Sequence, residues 1–311
     1  MRNRADLLLG CLDSLVSQNY SADNYEIVVC DDGSTEDLSI AVDKYRHENP
    51  AIKIVRQDCL GPAAARNLGV RHSAGSVILF IDSDILVDRE LIRRMDDSLA
   101  KNPNWVGAEA CLIPVEGSAN PLWEAPDAAA GGRYHTAAIA YRREALIAAG
   151  GLDETFLLAA CEDVELAARI LPLGPIGFVS EARAYHPRRK VNIRTHWHCR
   201  LHWKYLVTLA ERYGFLAFPE KKAGRFYRLR IALAAVISLP LGRLLEAVQW
   251  IKHSPSEAAI AAFYALFDVV CGLWALPGIL FRSIPERRDY LRTAASQTRQ
   301  CGNELLQECR Q

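Results

Sequence analysis

The first two-thirds of this chain predict an α/β fold: a mostly parallel sheet with helices packed on its faces. Three observations carry that expectation. Short apolar runs such as "EIVVC" and "SVILF" alternate with segments of helical period, the pattern of strand–helix–strand units. Two of those runs end in acidic residues, Asp31–Asp32 and Asp82–Asp84. The chain has 311 residues, 50% of them hydrophobic, enough for one large core and an appendage.

The elements follow in order. Leu8, Leu12 and Leu15 recur at helical spacing, with Asn3 the expected N-cap. "EIVVC" (26–30) reads as a strand and 39–49 as the next helix. "IKIVR" (52–56) is a second strand, 63–73 a second helix and "SVILF" (76–80) a third strand. Later come a strand and a helix within 134–151, stopped by Gly150 and Gly151, and a helix at 161–170. "IGFVS" and "ARAYH" read as the last two strands, ending at His186. In open α/β sheets ligands sit beyond the carboxyl ends of the strands. That rule brings Asp31, Asp32, Asp82 and Asp84 to one edge.

Composition narrows the partners. Lys plus Arg and Asp plus Glu are both 37, so net charge gives no basis for nucleic acid as a partner. The nine cysteines are scattered and never form CxxC, which fits a reduced protein and neither a disulfide framework nor a zinc site. "MRNRADLLLG" has too short an apolar run for a signal peptide.

Asp82 and Asp84 carry the first chemical signal. At i and i+2 of a strand both carboxylates would point the same way. At a separation near 4 Å they would repel by roughly 4 kcal/mol at an effective dielectric of about 20. A hard divalent cation, Mg²⁺ or Mn²⁺, would resolve that repulsion and complete its shell with phosphate oxygens. A solvated turn whose aspartates cap the next helix explains the pair equally well by itself.

Four blocks together say more: "EIVVCDDGSTED" (26–37), "GPAAARNLGV" (61–70), "VILFIDSDILV" (77–87) and "YRREALIAAGGLDETFLLAACEDVELAARI" (141–170). In this order they resemble the family 2 glycosyltransferases of the GT-A fold, a Rossmann-like architecture, over about residues 1–190. The resemblance implies an inverting, metal-dependent transfer of one sugar from a nucleotide-diphosphate donor, UDP-linked by family lean, to a glycan or lipid-linked acceptor. It implies that Asp31, Asp32 and Gly33 contact the nucleotide and that Arg66 reaches the base or phosphates. Asp82 and Asp84 would bind the metal, with His186 at the place of a further metal or phosphate contact. Asp163 would be the general base on the acceptor hydroxyl, with Glu162 beside it.

Two departures accompany the resemblance. The family opens with a strand of the type "SVVIPTYN", whereas this sequence begins at "MRNRAD", where that strand should finish. The expectation is an incomplete start; a sheet lacking one wall of the donor site is the other reading. Processive members carry QxxRW, but the nearest match here is "CRLHW" (199–203), which argues for transfer of a single sugar. His198 and His202 are spaced i, i+4 with no evident third ligand.

The expected transferase domain spans 1–195, and 196–311 forms a helical region with apolar helices at about 228–250 and 258–281. The second is long enough for a hydrocarbon core of about 30 Å. Arginines and lysines flank the pair, so a hairpin with both ends at the cytoplasmic face satisfies the positive-inside tendency. Amphipathic helices lying on the membrane, or packing on the transferase domain, satisfy the same pattern. Two rivals to the enzyme reading are an aspartate-based phosphohydrolase, whose DxDx[TV] is absent here, and a degenerate transferase serving as a membrane scaffold.

Overall fold

The protein is described by a computed structural model over residues 2–45, 50–115, 122–192, 203–214 and 226–281. It divides into two compact units. The first comprises residues 1–114 and 126–186, the second 115–125 and 187–290.

In the first unit, α1 (Ala5–Val16) turns Leu8, Cys11, Leu12 and Leu15 into the core at helical spacing. Its N-cap is Arg4, not Asn3. Asn3 has a positive φ and uses its side-chain carbonyl to accept the N–H of Thr35 at 2.8 Å, so it ties the chain start to a distant loop. Strand β1 (Glu26–Asp32) pairs in parallel with β2 (Ala51–Gln57), and α2 (Ser39–Asp43) lies between them in the chain. The predicted helix of 39–49 is thus five residues long within the described segment, and 46–49 lie outside it.

Helix α3 (Pro62–His72) packs on β1 through Gly69, where a Cβ would come within 2.6 Å of Cys30 Sγ. Strand β3 (Val77–Ile81) follows, then β4 (Leu86–Val87), α4 (Leu91–Lys101) and β5 (Gly107–Val115). Strand β7 (Ala138–Arg142) runs into α5 (Arg143–Ala149), which ends at Gly150 in the left-handed region as the sequence predicts. Helix α6 (Glu162–Ile170) precedes β8 (Ile176–Pro187). The runs "IGFVS" and "ARAYH" belong to that single long strand.

The sheet corrects one expectation. Besides the parallel pair β1–β2, a five-stranded sheet has the order β3-β7-β5-β8-β4, and β3–β7, β5–β7 and β4–β8 pair antiparallel. The sheet structure is mixed, not mostly parallel. Strand–helix alternation implies parallel neighbours only while consecutive strands lie side by side; here β7 inserts between β3 and β5. The α/β class with flanking helices stands. Two cores sandwich the strands: one lies under α1, α2 and α4, and the other under α3, α5 and α6.

The second unit contains a two-stranded ribbon of β6 (Trp123–Glu124) and β9 (Arg189–Lys190), and α7 (Trp203–Tyr213). Two long apolar helices follow, α8 (Tyr227–Trp250) and α9 (Pro255–Phe281). The twelve-residue run 231–242 is part of a longer helix, continuous through a π turn at Ala234–Ser238. His198 and most of "CRLHW" lie outside the described residues.

Candidate active site

The site assembles at strand ends. Asp31 and Asp32 close β1, and the parallel register sets Arg56 opposite Asp31 and Gln57 opposite Asp32. Asp31 pairs with Arg56 Nη1 at 2.8 Å and accepts the N–H of Ser34 at 2.9 Å. Asp32 accepts Gln57 Nε2 at 2.8 Å and the N–H groups of Leu60 and Gly61 at 2.9 and 3.0 Å. That carboxylate therefore holds the loop that starts α3, the helix bearing Arg66. Between the two loops, Gly33 has φ +74°, and a Cβ there would sit 2.9 Å from the backbone nitrogen of Cys59. Only glycine fits without a shift of main chain.

Asp82 and Asp84 converge by a different route from the one strand alternation suggests. Strand β3 ends at Ile81, and residues 82–85 turn, Ile85 N–H donating to the Asp82 carbonyl at 3.2 Å. Asp84 is buried, its side chain 1% exposed, while that of Asp82 is 33% exposed. The antiparallel register of β4 on β8 sets Leu86 opposite Tyr185, which delivers His186 to the level of the turn. His186 Nε2 lies 3.9 Å from Asp84 Oδ1, and one ligand atom each from Asp82, Asp84 and His186 lies within 4.8 Å of the others. The two carboxylate oxygens suit Mn²⁺ or Mg²⁺, and the imidazole nitrogen is a ligand better matched to a transition metal such as Mn²⁺ than to Mg²⁺. Arginines offset part of the negative charge: Arg4 Nη1 is 3.4 Å from Asp84 Oδ2, and Arg66 Nη2 is 3.0 Å from Asp82 Oδ1.

Arg66 also reaches Glu162, Nη1 to Oε1 at 2.8 Å, and so joins the end of β3 to the start of α6. Burial opposes the guanidinium charge, but Asp82, Glu162 and Asp163 outweigh it and strengthen its hold on the proton. Glu162 is buried, and its Oε2 has no hydrogen-bond partner among the described residues. Burial first, then the neighbouring Asp163, raises its carboxyl to about 7. Cys161, immediately before it, is a non-glycine residue at φ +68°, local strain of a kind that clusters at functional sites.

Asp163 accepts the N–H of Val164 and lies 3.0 Å from His135 Nδ1. His135 is a residue that the sequence reading missed. Burial works against its charge, but the hydrogen bond and the charge of Asp163 prevail and raise its pKa. It is positioned by a loop with positive φ at Gly131, Gly132 and Tyr134. Buried Glu109 of β5 gathers that loop by accepting the N–H groups of Gly132, Arg133 and Tyr134 at 2.6, 3.0 and 2.7 Å. The succession "GGRY" before "HT" was a signal for such a turn.

The predicted residues therefore form one connected rim. Asp82, Asp84, His186, Arg66, Glu162 and Asp163 are linked by direct or bridged contacts. Asp31 and Asp32 join through the loops at 33–36 and 58–61, since Asn3 N–H donates to Ser34 Oγ at 2.9 Å beside Arg4. Their carboxylates are engaged with protein groups as described.

Comparisons with known proteins converge on the same architecture. Residues 1–118 match the family described as Glycosyl transferase family 2. The poly(ribitol-phosphate) beta-glucosyltransferase of Bacillus spizizenii is 34% identical over 94 residues, 30% of this chain and 15% of that protein. The chain thus spans a small part of the length of such curated relatives. Among solved structures, the mannosyltransferase PcManGT of Pyrobaculum calidifontis, in complex with GDP-Man and Mn²⁺, has a TM-score of 0.58 at 22% identity, covering 88% of this chain and 85% of that one. TarS 1–349 of S. aureus, in complex with UDP-GlcNAc, has a TM-score of 0.53 at 15% identity, covering 99% and 90%. The fold that these likenesses show is GT-A. Within it, this chain resembles the glycosyltransferases of family 2, and its first 118 residues carry that family's pattern.

Proposed function

We propose that this protein transfers one sugar from a nucleoside-diphosphate sugar to a hydroxyl of a glycan or lipid-linked acceptor, with inversion, at the cytoplasmic face of a membrane. The observation that carries the reading is the cluster of Asp82, Asp84 and His186, joined through Arg66 to Glu162 and Asp163.

Asp163 takes the proton from the acceptor hydroxyl as its oxygen bonds to the anomeric carbon. The bond from that carbon to the diphosphate oxygen breaks, and the nucleoside diphosphate leaves with the electron pair. His135, hydrogen-bonded to the base, fixes its orientation. Asp82, Asp84 and His186 would hold Mg²⁺ or Mn²⁺, which when bound supplies Lewis-acid stabilisation of the leaving diphosphate. Arg66 offers a planar fork to phosphate oxygens at the same rim. Asp31, Asp32 and Gly33 shape the nucleotide pocket, the two carboxylates using lone pairs left over from their protein contacts. UDP is the first candidate carrier and GDP the second.

The test is donor turnover by the full chain across UDP- and GDP-sugars with Mn²⁺, Mg²⁺ or a chelator. Selective binding is first located as a rise in melting temperature. Metal-dependent release of nucleoside diphosphate that disappears in Asp84→Ala supports the assignment. Absence of turnover with every donor, at unchanged fold, would leave the scaffold reading in its place.

A further inference from the structure

Helices α8 and α9 pack as a hairpin. Gly272 lets them approach so closely that a Cβ would meet the Ala235 carbonyl at 2.6 Å. Each helix is long and apolar enough to cross a bilayer. Yet other segments of the unit lie against the pair at its base, middle and tip. At the base, Trp203 and Val207 of α7 pack on Ile231 and Ile279, and Arg228 of α8 is bonded to Glu211 of α7. Midway, Arg243 Nε sits 3.4 Å from the buried Asp268 Oδ2, and its Nη2 sits 2.8 Å from Glu124, a half-exposed ribbon residue. At the tip, Leu122 beside the ribbon packs on Ala247, Ala261 and Tyr264.

We infer that this hairpin lies in the plane of a membrane surface, half-sunk, with its uncovered face against the acyl chains. Spanning would draw the ribbon into hydrocarbon. The ribbon carries exposed Arg189 and Lys190 and half-exposed Glu124, and charged side chains are costly in the hydrocarbon layer. The surface of α8 agrees. Leu244 and Val248 are exposed on one arc, while Glu246 and Gln249 are exposed on roughly the opposite one. A spanning helix would turn that glutamate to lipid at high cost; an in-plane helix turns it to water. On α9 the exposed arc is Phe263, Leu266, Val270 and Trp274, with no charged side chain among them, and the opposite stripe is covered within the unit. Exposed Arg230 near the base and Lys252 at the tip place cations at both ends, suited to anionic headgroups. The inference deepens the membrane part of the proposed function and does not depend on its chemistry.

The full chain is incubated with preformed sealed vesicles of phosphatidylglycerol and phosphatidylethanolamine, without sugar nucleotide, and vesicle binding is read by flotation. Bound protein is then treated with trypsin from outside. An in-plane hairpin is cut after Lys252; a spanning one keeps that bond inside the vesicle and intact. The surface double variant Phe263→Glu, Leu266→Glu should lower vesicle affinity by about tenfold or more. A hairpin that stays uncut at Lys252, an unchanged affinity in the double variant, or a wild type that ignores vesicles and dimerises through this face would each overturn the inference. Donor turnover in detergent is measured alongside, so failure here is separable from failure of the transferase reading.

Discussion

His135 Nδ1 stands 3.0 Å from Asp163 Oδ2, a pairing between residues 28 apart in the chain. If Asp163 is the base, His135 is its positioning residue. His135→Ala should lower kcat by about 10²-fold and leave donor KM within about threefold, whereas Asp163→Asn should remove about 10²–10⁴-fold of turnover. His135→Gln, which keeps a donor, should recover part of the loss. Steady-state kinetics on the three variants, with circular dichroism to confirm the fold, checks this.

The raised carboxyl of Glu162 makes stability depend on pH. Burial and Asp163 lift it from the ordinary glutamate value to about 7, so the folded chain binds that proton more tightly than the unfolded chain. The stability this contributes is present in acid and is lost as pH rises through about 7. Between about pH 5 and about pH 8 the melting temperature of the wild type should fall more steeply than that of Glu162→Gln. Parallel slopes in a thermal-unfolding series would refute it.

Gly33→Ala places a Cβ against the Cys59 backbone at φ +74°. The left-handed conformation costs about 1–2 kcal/mol, and the contact adds to it. Denaturant unfolding should show a loss of at least about 1 kcal/mol. Nucleotide-sugar affinity should fall further than stability alone explains, because the turn borders Asp31 and Asp32.

Glu109→Gln replaces a carboxylate that accepts three backbone N–H groups. A loss of about 1–3 kcal/mol is expected, with faster amide exchange at 131–134. Exchange confined to other segments would detach Glu109 from the placement of His135.

In the second unit, Gly272→Leu must push α8 and α9 apart at the Ala235 carbonyl. Overpacking of this kind costs about 1–3 kcal/mol. The melting temperature should fall, with vesicle binding by the now separated helices as a companion readout.

The sequence alone determined the local elements. Period-3.6 and period-2 patterns marked α1, β1, α3, β3 and α6 to within a few residues, because side-chain burial repeats with backbone geometry. Four blocks in a fixed order, three of them acidic, carried the resemblance to family 2 glycosyltransferases, and the nucleotide-sugar site is what that resemblance implies. What only the tertiary structure decided is pairing over distance. It inserted β7 between β3 and β5, brought His186 to Asp84 through the register of β4 on β8, and set His135 on Asp163 through the loop held by Glu109. The composition of α8 and α9 fits spanning and lying flat equally well, and the packing of Leu122 and the ribbon at their tip appears only in the tertiary structure. Local patterns record which face of an element is buried; they do not record which distant element buries it, because that choice is made by the whole fold at once.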